Sequence, residues 1–367
     1  MNTTPLFQPF HSDKLKLDNR VVMAPMTRGF SPGNVPGDDV AEYYRRRAAG
    51  GVGLIVTEGT GIDHPASISG ASIPVFHGEE ALAGWKKVVD AVHAEGGKIA
   101  PQLWHVGMAR KVGDEPNVQA QPVGPSGLNL KGEKVGEPLT ESEIADLIQA
   151  YAQAASDAKK LGFDAIELHG AHGYLIDQFL WEGTNQRTDR YGGDLAGRAT
   201  FAVEVVRACR AAVGEDYPII FRYSQWKMYD YKARLAQTPE ELEQLLGLLV
   251  DAGVDIFHAS TRRFWEPEFE GSELNLAGWT QKLTGKPTIS VGSVGLQAEF
   301  TPGANQVEET DPTAHLDELI HKLEQNEFDL IAIGRALLSD PEWPNKIRDQ
   351  RSNDIQMFSR EALETLV

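Results

Sequence analysis

The sequence predicts an α/β fold, a (β/α)8 TIM barrel with extended strand-to-helix loops. Eight short apolar runs alternate with eight longer amphipathic ones along the chain. The segments after several runs are long and the returns to the next run are short, as in a barrel whose working face is built from strand-to-helix loops. An open doubly wound sheet would carry a Gly-x-Gly-x-x-Gly turn after an early strand, and none is present.

The strands are expected at 20–26, 52–57, 99–104, 163–168, 218–223, 254–258, 288–291 and 328–333, each apolar and bounded by Gly, Pro or Asp. Helical patterns occupy 40–49, 79–94, 141–161, 197–213, 239–251, 276–283 and 315–325, with a last one from Pro341. Thr140 and Glu143 have capping-box spacing, as do Thr238 and Glu241, with Pro239 at the first helical position. Gly162 and Gly253 sit where helices should stop. Long loops fall at 105–139, 170–195, 262–273 and 294–312; the first is expected to form a lid or substrate wall. The stretch up to Asp18 is expected to cap the barrel floor.

The chain has 367 residues, 41% hydrophobic, a formal charge of -18 and a pI near 5.0. That length suits one barrel domain over 1–367. An acidic chain is repelled by nucleic acid and by anionic membranes, which leaves a small-molecule partner. Its one cysteine, Cys209, cannot form an internal disulfide, a thiolate zinc site or an iron–sulfur cluster. No apolar stretch has signal or membrane-span length, so a cytoplasmic protein is expected.

The most informative stretch is 162–180. It begins as an apolar strand and breaks into His169-Gly-Ala-His172-Gly-Tyr174. A tight turn through Gly170, Ala171 and Gly173 would aim two imidazoles and a phenol into one space. Two neutral imidazoles can each give one N–H to a single oxygen, and a phenol can give a proton. Such a site polarises a carbonyl and protonates the neighbouring carbon. A His-x-x-His metal site with Glu167 is the weaker reading, because zinc helices need i, i+4 spacing and an intervening Glu.

Polar or small residues also end most of the other strands: Pro25-Met26-Thr27-Arg28, Thr57-Glu-Gly59-Thr60, Gln102-Leu-Trp104-His105 and Arg222-Tyr-Ser-Gln225. Gly292-Ser293 and Gly334-Arg335 follow strands seven and eight, where barrels often bind phosphate through backbone N–H groups and arginine. His64, His93, His105, His315 and His321, with Trp85, Trp279 and Trp343, read as packing residues. Trp265 is a weaker candidate for a substrate wall, and the acidic run 266–273 reads as a solvated loop.

Over nearly its whole length the chain resembles the old yellow enzyme family of FMN-dependent ene-reductases. The resemblance rests on APMTR, TEGT, PQLWH, HGAHGYLIDQFL, the Asn185-x-Arg187-Thr-Asp189-x-Tyr191-Gly-Gly193 run and IGRALLSDP. It implies one non-covalent FMN at the barrel mouth and NADPH or NADH as reductant. It assigns Pro25, Met26 and Thr27 beside the flavin ring, Gly59 below it, Gln102 at the pyrimidine edge and Arg222 near N1 and O2. It assigns the phosphate to Gly292, Ser293, Gly334 and Arg335. His169 and His172 become substrate-oxygen donors, Tyr174 the proton donor and Trp104 a substrate wall. The implied reaction is hydride transfer from flavin N5 to the β-carbon of an enone, enal, maleimide or nitroalkene, with Tyr174 protonating the α-carbon.

The chain departs from common members at Arg222-Tyr-Ser-Gln-Trp226 with its charged continuation to Arg234, and at 262–269. Thr27 stands where some relatives have cysteine, and 63–72 lacks a substrate-wall tyrosine found in others. These departures motivate an alternative, FMN-dependent oxidative N-demethylation of a small methylated amine. A non-catalytic barrel binding a phosphorylated ligand is a third reading.

Overall fold

The computed structural model describes residues 2–297, 299 and 311–367. Two short antiparallel strands open the fold, β1 (Phe10–His11) and β2 (Lys16–Leu17). Eight parallel strands then close into a barrel: β3 (Val21–Met23), β4 (Leu54–Gly61), β5 (Lys98–Trp104), β6 (Ile166–His172), β7 (Ile219–Lys227), β8 (Ile256–Ser260), β9 (Thr288–Val291) and β10 (Leu330–Ile333). They follow one another in chain order around the barrel, and β10 pairs with β3 to close it. This is the (β/α)8 barrel that the alternating pattern predicts.

Alternation along each strand decides what faces inward. Val22, Leu54, Val56, Ala100, Ala165, Ile220, Ile256, Ile289, Leu330 and Ala332 form one buried interior cluster with Phe10, Leu15 and Leu17. The β1–β2 hairpin therefore plugs the floor with hydrocarbon. The other strand faces pack against a ring of helices in a second, larger cluster. The main helices are α1 (Asp38–Ala49), α2 (Glu79–Ala94), α3 (Glu141–Leu161), the short α4 (Leu175–Leu180), α5 (Leu195–Val213), α6 (Pro239–Ala252), α7 (Leu276–Thr284), α8 (Leu316–Glu324), α9 (Ala336–Ser339) and α10 (Trp343–Arg348).

Local chemistry sets the helix ends. At α3 the Glu143 N–H donates to Thr140 Oγ1 (3.3 Å) and the Thr140 N–H donates to a Glu143 carboxylate oxygen (2.8 Å). Losing such a cap typically costs about 1 kcal/mol. Gly162 ends α3 in the left-handed region, φ 90°.

β4 and β8 run to Gly61 and Ser260, past the expected 57 and 258, and two more strands run four residues further than expected. β6 does not end at residue 168 but continues through the His-Gly-Ala-His segment to His172. β7 does not end at 223 but continues to Lys227. Each extension pairs with the other, His172 with Lys227, so neither has a purely local signal. α4 was not expected, and most of the predicted 294–312 loop lies outside the described residues. Among the described residues no helix is long and apolar enough to cross a membrane.

Candidate active site

The head of β6 is shaped by glycine and by a bulge. Gly170 is a close-approach residue rather than a turn residue, because a Cβ there would meet the Phe221 ring at 2.5 Å. The turn itself falls at His172 and Gly173, with φ 66° and 84°. A left-handed conformation is uncommon for histidine and re-aims its side chain. Between the Gly170–Tyr223 and His172–Lys227 pairs, β6 advances two residues while β7 advances four. β7 thus bulges at Ser224–Trp226, and such bulges redirect side chains beside active sites.

The result is a compact ring cluster. His169 and His172 lie 5.2 Å apart between centroids, nearly perpendicular, and Tyr174 lies 5.0 Å from His169. Trp104 packs edge-on against Tyr174 at 4.9 Å and stacks over His169 at 6.2 Å. Trp226, on the β7 bulge, stacks on His172 at 4.4 Å. Burial and the nearby Arg222 charge hold both histidines well below the usual imidazole range, so both are neutral at physiological pH. Burial pushes the Tyr174 phenol up to about 12, which keeps its proton in place.

Beside this cluster opens a cavity of about 470 Å³. Pro25, Met26, Thr27, His172, Arg222, Gly292, Ser293, Gly334 and Arg335 all line it. The loops after β9 and β10 meet where Arg335 Nη2 donates to Ser293 Oγ at 3.4 Å. At Gly334 a Cβ would find nothing nearer than Met26 Sδ at 3.4 Å, so the missing side chain leaves space rather than relieving a clash. Arg222 is 7% exposed and its Nε has no acceptor among the described residues. A buried guanidinium N–H without an acceptor is costly, and an electron-rich ring edge would satisfy it. These features fit a flat anionic cofactor with a phosphate tail.

Gly59, Gln102, Trp104, His169 and Tyr174 are not part of the cavity lining. Trp104 lies directly against Gly59, where a Cβ would come within 2.6 Å of the indole, so it walls the ring cluster rather than the cavity. Gln102 is oriented from behind: its Nε2 donates to Glu167 at 2.8 Å, and the other Glu167 oxygen takes His258 Nδ1 at 2.7 Å. Gln102 is left with its carbonyl oxygen to accept and a second amide N–H to donate. Glu167, considered above as a third metal ligand, is committed to this pair instead.

Several residues escaped the sequence reading. Lys227 and Asp177 form a fully buried ion pair at 3.0 Å, and Asp177 also accepts the Gly173 N–H at 2.6 Å. Burial raises the Asp177 carboxyl to about 6, against the pull of Lys227. The pair ties the β7 arm to the turn that carries His172 and Tyr174. That arm brings Trp226, Met228, Tyr229 and Tyr231 to the cavity. The unusual Ser-Gln-Trp-Lys run was the only sequence signal for it.

Other expectations are revised. The 105–139 segment contributes nothing to the cavity wall; its Leu130 packs against Gly173 instead. Arg187 straps the segment by donating to the Pro125 and Leu139 carbonyls, so the Asn185–Gly193 run acts as a loop anchor. Trp265 stacks on His315 at 3.6 Å and does not line the cavity. In the acidic run Glu266, Glu270 and Glu273 are exposed as expected, and only the Glu268 side chain is tucked against Arg234.

A profile of the NADH:flavin oxidoreductase / NADH oxidase family matches residues 5–354. The chain is 36% identical over 361 residues to an NADH oxidase from Thermoanaerobacter brockii, covering 96% of this chain and 52% of that protein. It is 45% identical over 225 residues to 12-oxophytodienoate reductase 7 of Oryza sativa subsp. japonica, covering 58% of this chain and 56% of the other. The chain thus spans about half the length of these curated relatives. The structure of morphinone reductase in complex with tetrahydroNAD superposes with a TM-score of 0.81 at 30% identity, covering 98% of this chain and 93% of that one. The chain belongs to the NADH:flavin oxidoreductase / NADH oxidase family, the old yellow enzyme family of FMN- and nicotinamide-dependent oxidoreductases.

Proposed function

We propose that the protein is an NAD(P)H-dependent FMN oxidoreductase that reduces the activated C=C bond of α,β-unsaturated carbonyl or nitro compounds, with the chain acting as one FMN-binding barrel domain. The observation that carries this reading is the cluster of two neutral imidazoles and one protonated phenol at the head of β6, beside a cavity lined by Arg222 and the β9 and β10 loops.

When bound, FMN supplies the hydride that it receives from NAD(P)H. Pro25, Met26, Thr27 and Arg222 would hold its ring from the cavity lining, with Gly59 and Gln102 set behind that lining, and Gly292, Ser293, Gly334 and Arg335 would hold its phosphate. His169 and His172 donate N–H bonds to the substrate oxygen, where negative charge grows in the transition state; one such donor is typically worth about 10²- to 10³-fold in rate. Tyr174 gives its proton to the α-carbon, and Trp104 fixes the phenol from the side. Arg222 lines the cavity and disfavours a cationic methylamine, although Arg262 there is neutralised by Glu299 at 3.1 Å, so this charge is the one observation against oxidative N-demethylation.

The test is anaerobic titration of the FMN-loaded protein. NADPH or NADH should bleach the flavin and cyclohexenone should restore its colour with one equivalent of cyclohexanone formed. Failure to retain FMN, or formaldehyde release from a methylated amine without enone turnover, would overturn the reading.

A further inference from the structure

We infer that Ser260 is a positioning residue that fixes the His172 tautomer, so that the two histidines present opposite ring nitrogens as donors. The inference deepens the oxygen-donor role proposed above and rests on that reading only for its functional consequence.

Ser260 ends β8 and is 2% exposed. Among the described residues its Oγ meets two groups, His172 Nε2 at 2.8 Å and Arg222 Nη2 at 3.3 Å. A serine hydroxyl has one proton to give, and a guanidinium has no acceptor. Arg222 therefore donates to Oγ, and the only acceptor that the described residues offer the hydroxyl proton is the His172 nitrogen. Nε2 of neutral His172 is then the acceptor and its proton sits on Nδ1. Arginine cannot reverse the arrangement, because it stays protonated throughout the working pH range.

The rest of the surroundings hold this geometry. The His172 N–H donates to Ser224 Oγ at 2.9 Å, which fixes the backbone from which the ring hangs. Trp226 covers one imidazole face and its Nε1 donates to the Ser260 carbonyl at 3.1 Å, so the same residue anchors both the edge and the cover of the ring. His169 is set the other way. Its Nδ1 accepts the Ala171 N–H at 3.3 Å, which leaves its proton on Nε2. Which nitrogen of a histidine carries the proton is set by the bond that the other one makes. Two perpendicular rings of opposite tautomer each keep one N–H that no protein group among the described residues accepts.

Long-range ¹⁵N–¹H correlation spectra of the FMN-loaded protein, labelled in histidine and assigned with His169→Gln and His172→Gln, read both tautomers directly. The expected wild-type spectrum has His172 protonated at Nδ1 and His169 at Nε2. Ser260→Ala should convert His172 to a mixture of tautomers and lower kcat/KM for cyclohexenone roughly tenfold, the lower end for losing a group that orients an active residue. Ser260→Thr, which keeps the hydroxyl, should restore both. A wild-type His172 protonated at Nε2, or a tautomer unchanged in Ser260→Ala, would overturn the inference. The wild-type spectrum decides by itself if the alanine variant fails to fold. The expected tautomers in a protein that never reduces an enone would sink the proposed function and leave the assignment of Ser260 standing.

Discussion

At the barrel floor Phe10, Leu15 and Leu17 fill the interior with hydrocarbon, while at the mouth Glu167, Asp177, Arg222, Lys227 and His258 are buried as charged or polar groups. The floor gains stability from every methylene it removes from water. The mouth pays a desolvation penalty for each charge and recovers it only through a specific partner. Asp177 answers Lys227, Glu167 answers His258 and Gln102, and Ser260 receives Arg222. Buried charge is thus concentrated where the fold is least self-sufficient. The apolar floor and helical ring supply the stability that the mouth does not.

The largest expected effect breaks the mouth. Asp177→Ala leaves Lys227 buried and unpaired and should destabilise the protein by about 3 to 5 kcal/mol in urea unfolding. A loss below about 1 kcal/mol would mean that the pair does not anchor the β7 arm. Leu17→Ala, at the floor, should cost about 3 kcal/mol by deleting packed volume, yet leave the turnover of each folded molecule unchanged. A change in kcat from that floor variant would show that the two ends are coupled.

A smaller effect depends on pH. Glu58, whose carboxylate accepts the Arg28 and Gly29 N–H groups, is pushed up by burial from 4.5 to about 7. A raised carboxyl means that the folded state holds its proton more tightly than the unfolded chain. Its contribution is therefore fully present below about pH 4.5 and lost as pH rises through about 7. Glu58→Gln cannot titrate, so the wild type should lose about 2.5 kcal/mol relative to the variant between pH 5 and pH 8. Parallel stability curves for the two proteins would exclude this assignment.

Much of the floor and the helical ring was legible in the sequence because its signals are local. The capping box at Thr140 and the stop at Gly162 fix α3 at both ends, and α2 and α3 match their expected bounds. The residues expected at the phosphate site also converge, since each lies at a strand end whose position the barrel dictates. What escaped depends on pairing across long sequence separations. β6 and β7 extend only because each supplies the other's partner. Ser260 carries no motif, and its role exists only because β6 brings His172 and β7 brings Arg222 to it. Trp226 and Lys227 stood out as a departure, but only the bulge reveals that one covers His172 and the other anchors the arm.

In the proposed reaction Tyr174 delivers a proton to the substrate and does nothing for the cofactor. Stopped-flow measurement of both half-reactions of Tyr174→Phe tests it most directly. Reduction of bound FMN by NADPH or NADH should keep its wild-type rate. Reoxidation by cyclohexenone should fall roughly 10²- to 10⁴-fold, the usual cost of losing a general acid. An unchanged rate of reoxidation by the enone, or an equal loss in both halves, would rule out Tyr174 as the proton donor.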